Sequence, residues 1–181
     1  MNKKIAKEIL ETSSERSWTI QGFGKMSTNI TANARLHIWD RALLNPRVPA
    51  VHSHSYDFKS FVVVGRVRNL KFFESPDGDS WNKVLVSSAG QLMSGFDVAP
   101  LLEHPMEVYS EGTQYEQPFG DVHLSFPDDG TVTLVEWDLT QAPKHMKVYW
   151  RGKAPWADAK ARPATPDEVL AVSKNALDTW F

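Results

Sequence analysis

The chain has 181 residues, 41% of them apolar, which is enough for one domain to bury a substantial core without staples. A formal net charge of −2 with both signs interspersed leaves no basic stripe, which argues against nucleic acid or an anionic membrane as a partner. The absence of cysteine removes disulfides, thiolate metal ligands and a cysteine nucleophile, and fits a reducing compartment.

In chain order, Met1-Asn-Lys-Lys-Ile-Ala-Lys-Glu-Ile-Leu10 is charged throughout and lacks the apolar core of a signal peptide. No stretch approaches the ~18 apolar residues of a membrane span, so a soluble, cytoplasmic protein is expected. Ile5, Ile9 and Leu10 recur at helical spacing and predict a short helix over 2–12. Trp18, Ile20 and Phe23, interrupted by Gly22 and Gly24, predict a broken strand over 17–28, followed by a polar turn over 29–34. Residues 35–40 predict a strand in which His37 shares a side with Arg35 and Trp39, opposite Leu36 and Ile38, and is expected at the surface or an edge. Pro46 and Pro49 make 45–49 a loop.

That loop delivers the chain to Val51-His52-Ser53-His54. Histidines at i and i+2 of an extended chain project to one side, which makes a two-toothed metal clamp. Residues 58–73, interrupted by Gly65, read as one bent strand or as two strands meeting there. Ser75-Pro-Asp-Gly-Asp79 predicts a turn, 81–88 a strand and 90–100 a less regular segment. Strands over 107–111 and 113–117 flank Gly112, and Pro118-Phe-Gly120 turns the chain into 121–126. If that turn is a tight hairpin, Tyr115, Gln117 and Ser125 face the same side as His123.

Asp128-Asp-Gly130 is a turn before a strand over 131–138. There Glu136 shares a side with Val132 and Leu134, pointing either inward or, at the strand end, into water. A further strand covers 146–151, and short strands at this spacing argue for an antiparallel sandwich or barrel. The C-terminus predicts a helix over 166–180, with Thr165 as N-cap, Pro166 at the first helical position and Glu168 closing a capping box. Its apolar face packs on the strands or on a second subunit, so a homodimer is one expectation.

His52-x-His54 with Gly65, and Gly112-x5-Pro118-x-Gly120-x2-His123, resemble the two motifs of the cupin superfamily over roughly residues 35–151. The resemblance implies an all-β fold, an antiparallel double-stranded β-helix (cupin barrel or jelly roll), with short terminal helices and a single domain over 1–181. It also implies a metal held by His52, His54 and His123. The glutamate usual in the first motif would be Phe58 or Lys59 here, so the implied site has three histidines, like that of the thiol dioxygenases in the superfamily. Segments such as Arg35–Asp40, Asp129–Thr133 and Pro163–Val169 look like a group of uncharacterised cupin-like proteins from bacteria and their phages, which supplies no substrate.

Three neutral imidazoles leave a divalent ion its full charge and open positions. That suits iron(II) best, while zinc, manganese, nickel or copper would also be accepted. Asp57 either becomes a fourth ligand through a β-bulge or points outward, as its opposite parity favours. Tyr115, Gln117 and Glu136 are the candidate catalytic groups. His104 and His145, near prolines, are expected at the surface. The leading expectation is a metal-dependent oxygenase acting on a small molecule. The alternatives are a non-catalytic binding or regulatory cupin and a sugar isomerase or epimerase, which needs an acid/base pair such as Tyr115 and Glu136.

Overall fold

A computed structural model describes residues 2–45, 51–87, 91–93, 95–138, 140, 145–152 and 161–181. Most of the expected 45–49 loop, the last residue of the expected 81–88 strand and two residues of the 90–100 segment lie outside the described residues. The fold is an all-β jelly roll of two antiparallel sheets with a short helix at each end. No described helix is long and apolar enough to cross a membrane.

The first sheet holds β1 (Thr19–Gln21), β2 (Phe23–Thr31), β3 (Ala34–Leu44), β5 (Phe58–Val64), β9 (Gln114–Gln117), β11 (Val132–Trp137) and β13 (Arg162–Pro163), in the order β13-β1-β2-β3-β11-β5-β9. The second holds β4 (Val51–His52), β6 (Arg66–Val86), β7 (Asp97–Glu103), β8 (Glu107–Ser110), β10 (Val122–Pro127) and β12 (Met146–Trp150). Its order is β10-β4-β12-β6-β7, with β8 and β10 also paired to the first half of β6.

Both faces of the first sheet are covered. On the outer face Met26, Leu36, Ile38, Val132 and Leu134 pack against Ile9 and Leu10 of α1 (Lys3–Glu11) and Val169, Val172 and Ala176 of α2 (Pro166–Trp180). On the inner face Phe58, Val62, Tyr115 and Val135 meet Val67 from the second sheet. Alternate residues of one strand therefore serve two different interiors.

Both helices start at side-chain caps. Asn2 Oδ1 accepts the Ile5 N–H at 3.0 Å. Thr165 Oγ1 accepts the Glu168 N–H at 3.3 Å, and Glu168 Oε2 accepts the Thr165 N–H at 2.8 Å, completing the expected capping box.

Gly65 separates β5 from β6 at φ +85°, and a Cβ there would lie 2.4 Å from Thr131 Oγ1, so two strands meet at a residue that must be glycine. Three expectations are corrected. Residues 75–79 form no turn between separate strands: β6 runs through them, with Glu74 and Asp79 both opposite Leu101, so the extra residues bulge out of the ladder. Residues 97–103 are a regular strand, β7.

The third correction concerns the turn at Pro118–Asp121, which closes no hairpin. β9 pairs with β5 in the first sheet, whereas β10 pairs with β4 and β6 in the second. The chain changes sheets through Gly120 at φ +83°, and Gln117 Nε2 donates to the Asp121 carbonyl at 3.0 Å to hold the corner.

Candidate metal centre

His52 is the last residue of β4, paired on one side with His123 of β10 and on the other with Val148 of β12. His54 follows in extended chain outside the strand, so the clamp is only half built by a ladder. Ser53 supplies the missing order: its N–H donates to the Lys147 carbonyl at 2.8 Å and its Oγ accepts the Lys147 N–H at 2.9 Å. With Ser53 turned towards β12, its two neighbours turn to the opposite side. The His52 ring stacks on Phe23 at 4.7 Å, and the His54 ring packs edge-on against Phe58 at 4.6 Å.

These positions bring one nitrogen from each of His52, His54 and His123 within 4.8 Å of one another. His54 Nε2 and His123 Nε2 are 2.9 Å apart. Two nitrogens bound to one ion at about 2.0–2.1 Å each must be about 3 Å apart or slightly more, so the donor set and spacing fit a divalent metal. The group is the convergence expected from the two histidine motifs, with His52 from β4, His54 from the chain just after it and His123 from the neighbouring β10.

Electrostatics keep His54 and His123 available as ligands. Burial, then neighbouring His52, His123 and Lys25, holds His54 well below the usual histidine range. Burial, followed by His52, Lys25 and Lys71, does the same to His123. Metal binding requires neutral imidazole, so low basicity leaves lone pairs open at neutral pH.

Behind His123, Ser125 Oγ donates to Asn69 Oδ1 at 2.6 Å and lies 3.4 Å from His123 Nδ1. Because the one Ser125 proton is directed to Asn69, its oxygen faces His123 as an acceptor. That favours a proton on Nδ1 and a lone pair on the Nε2 that meets His54.

Tyr115 and Gln117 are buried. Burial holds the Tyr115 phenol above its ordinary range, opposed by Ser60 and Asn69 beside it; Asn69 in turn accepts from Ser125, and Tyr115 pairs in the ladder with Ser60 and not with His123. Gln117 spends its amide N–H on the corner carbonyl, while its Oε1 has no partner among the described residues.

Two candidates are placed elsewhere. Asp57 is exposed, and its Oδ1 accepts the Phe119 N–H at 2.5 Å, tying the loop after His54 to the corner before β10 and leaving Asp57 outside the ligand group. Glu136 does share a side with Val132 and Leu134, but that is the helix-covered side, and at the strand end its carboxylate is exposed. His104 and His145 are exposed, as expected.

Sequence reasoning missed His37, which is buried with its ring edge-on to Trp39 at 6.1 Å. Lys25 was also missed; its ammonium lies 5.4 Å from the Trp39 ring centre. The available signal was Trp39, a large aromatic residue on the same side of the strand as Arg35 and His37, which argues that this side too is covered. A scan of protein-family models finds no match to this chain, and no curated protein is significantly similar to it.

Proposed function

We propose that this chain is a metal-dependent cupin acting on a small molecule, with His52, His54 and His123 holding iron(II) for oxygenation of that substrate. The observation that carries the reading is the convergence of three ligand nitrogens within 4.8 Å. With three neutral ligands, bound iron(II) would supply open positions for a chelating substrate and for dioxygen. The protein's part is to hold the three rings, exclude water and keep a proton donor nearby. Ser125 and Asn69 orient His123, and the buried Tyr115 phenol, kept protonated by burial, lies beside Asn69 as the nearby proton donor. The isomerase alternative loses its carboxylate, since Glu136 lies on the other face.

The test begins with elemental analysis of protein purified without added metal, followed by anaerobic loading with iron(II). Thiol, diketone and small-acid ligands are then screened for spectral perturbation, and oxygen uptake is followed on admitting air. Uptake abolished in His123→Ala and reduced in Tyr115→Phe is expected. Zinc at full occupancy and no ligand-dependent uptake with iron would replace oxygenation by non-redox chemistry, and a protein that takes up no metal would be a binding cupin.

A further inference from the structure

The inner face of the first sheet carries cations that the three-histidine site does not use. Lys25 of β2 lies opposite Trp39 in the β2–β3 ladder, Ser27 opposite His37 and Asn29 opposite Arg35. The Lys25 ammonium rests over Trp39 at 5.4 Å, and the Arg35 guanidinium lies over Trp137 at 5.0 Å. Arg35 Nε donates to Asn29 Oδ1 at 2.9 Å, and its terminal nitrogens have no hydrogen-bond acceptor among the described residues. His37 is 93% buried, and its Nδ1 has no partner among the described residues.

Neither Lys25 nor Arg35 has a carboxylate within 4 Å among the described residues, whereas Lys71, the next inward cation, is paired with Glu107 at 3.1 Å. Burial and Arg35 bring the Lys25 ammonium down to about 8, the signature of two cations sharing a partly desolvated space. These cations lie close to the histidines. Phe23, two residues before Lys25, stacks on His52 at 4.7 Å, and the Lys25 charge acts on His37, His54 and His123.

Burying uncompensated charge is costly, and a guanidinium edge with free donors matches an oxyanion geometrically. Placing a dication on the histidines would add two more positive charges to the same interior. The missing counter-charge is then the ligand's.

We infer that Lys25, Arg35 and the free nitrogen of His37 form a subsite for the oxyanion, carboxylate or phosphate, of a small molecule whose other end reaches the three histidines. The subsite deepens the metal-centre reading and rests on it only for the position of the ligand's far end. The aromatic rings of Trp39 and Trp137 brace the two cations, so the ligand meets fixed charges and not flexible side chains.

The experiment uses the full chain, metal-free and iron-loaded. Thermal shift and calorimetry measure binding of acetate, malonate, succinate, benzoate and inorganic phosphate, with the neutral amides of the four acids as controls. At least one oxyanion should bind at least tenfold more tightly than its amide, or, for phosphate, more tightly than every amide. Lys25→Met and Arg35→Gln should each lower that affinity at least tenfold, and Lys25→Arg should restore part of it. Melting curves and metal content of each variant report whether the fold and the histidine site persist.

Amides binding as well as acids, binding by none of the oxyanions, or an affinity unchanged in folded Lys25→Met and Arg35→Gln proteins would each overturn the subsite. A charge preference in protein that takes up no metal would support the subsite while refuting the metal centre. Normal metal uptake with no charge preference would refute the subsite alone.

Discussion

The two faces of the seven-stranded sheet are built from the same strands and do different work. Leu36, Ile38, Val132 and Leu134 point outward into an apolar contact with the two terminal helices. One residue along each strand, Arg35, His37 and Thr133 point inward to a space shared with Lys25 and the three histidines. The outer face is held mainly by apolar packing, with Trp180 Nε1 donating to the Asp129 carbonyl and Asn175 Nδ2 to Asp40 Oδ2, and Ser173 Oγ of α2 has no partner among the described residues. Around the inner face, His37 Nδ1 and Gln117 Oε1 of this sheet and Asn69 Nδ2 of the facing sheet have no partner among the described residues, and burying such groups costs stability. The difference teaches that single-residue alternation along a strand separates an apolar, helix-packed side from a side that mixes apolar core with polar groups, so substitutions at neighbouring positions should act differently.

The sharpest break of that comparison is His123→Ala. It should abolish metal binding, lowering affinity well beyond the ~10–100-fold typical of losing an outer-shell partner, while the melting temperature of the metal-free protein changes little. Titration with iron(II) or zinc, with calorimetric readout, checks it. Retained affinity would mean that the three nitrogens do not act together.

Leu36→Ala, on the opposite face, should show the reverse pattern. It removes a side chain with no solvent exposure and should cost about 2–5 kcal/mol in denaturant melts, with metal affinity in the folded protein unchanged. A matching loss of metal affinity would show that the two faces are coupled.

His37 sharpens the contrast through pH. Burial, then Lys25 and Arg35, holds its basicity well below the ordinary value of 6.5. The folded ring therefore resists a proton that the unfolded chain accepts, and stability present above pH about 6.5 is lost as pH falls below it. His37→Gln should flatten part of that acid-side loss in melts between pH 8 and 5. An unchanged pH profile would mean that the ring does not titrate as a buried group.

The smallest effect belongs to the edge of the outer layer. Thr165→Ala removes one cap oxygen and should lower stability by about 1 kcal/mol, leaving metal affinity intact. Melts with and without metal test both halves of that expectation.

What the sequence determined by itself was local. The capping box at Thr165 and Glu168, the strand break at Gly65, the paired histidines at 52 and 54 and the second motif ending at His123 are all read from neighbours within a few residues, where backbone sterics and side-chain reach decide the outcome. The tertiary structure decided what depends on partners far along the chain. Alternation divides β11 into two sides, but both are apolar, and only the docking of α1 and α2 decides that Glu136 lies on the outer one. Likewise, a glycine and a proline announce a turn at 118–120, but whether the flanking strands pair with each other or with β5 and β4 depends on ladders formed across more than fifty residues. The same long-range pairing places Lys25 and His37 beside the histidines, because strands distant in sequence meet only when both sheets have closed around one interior.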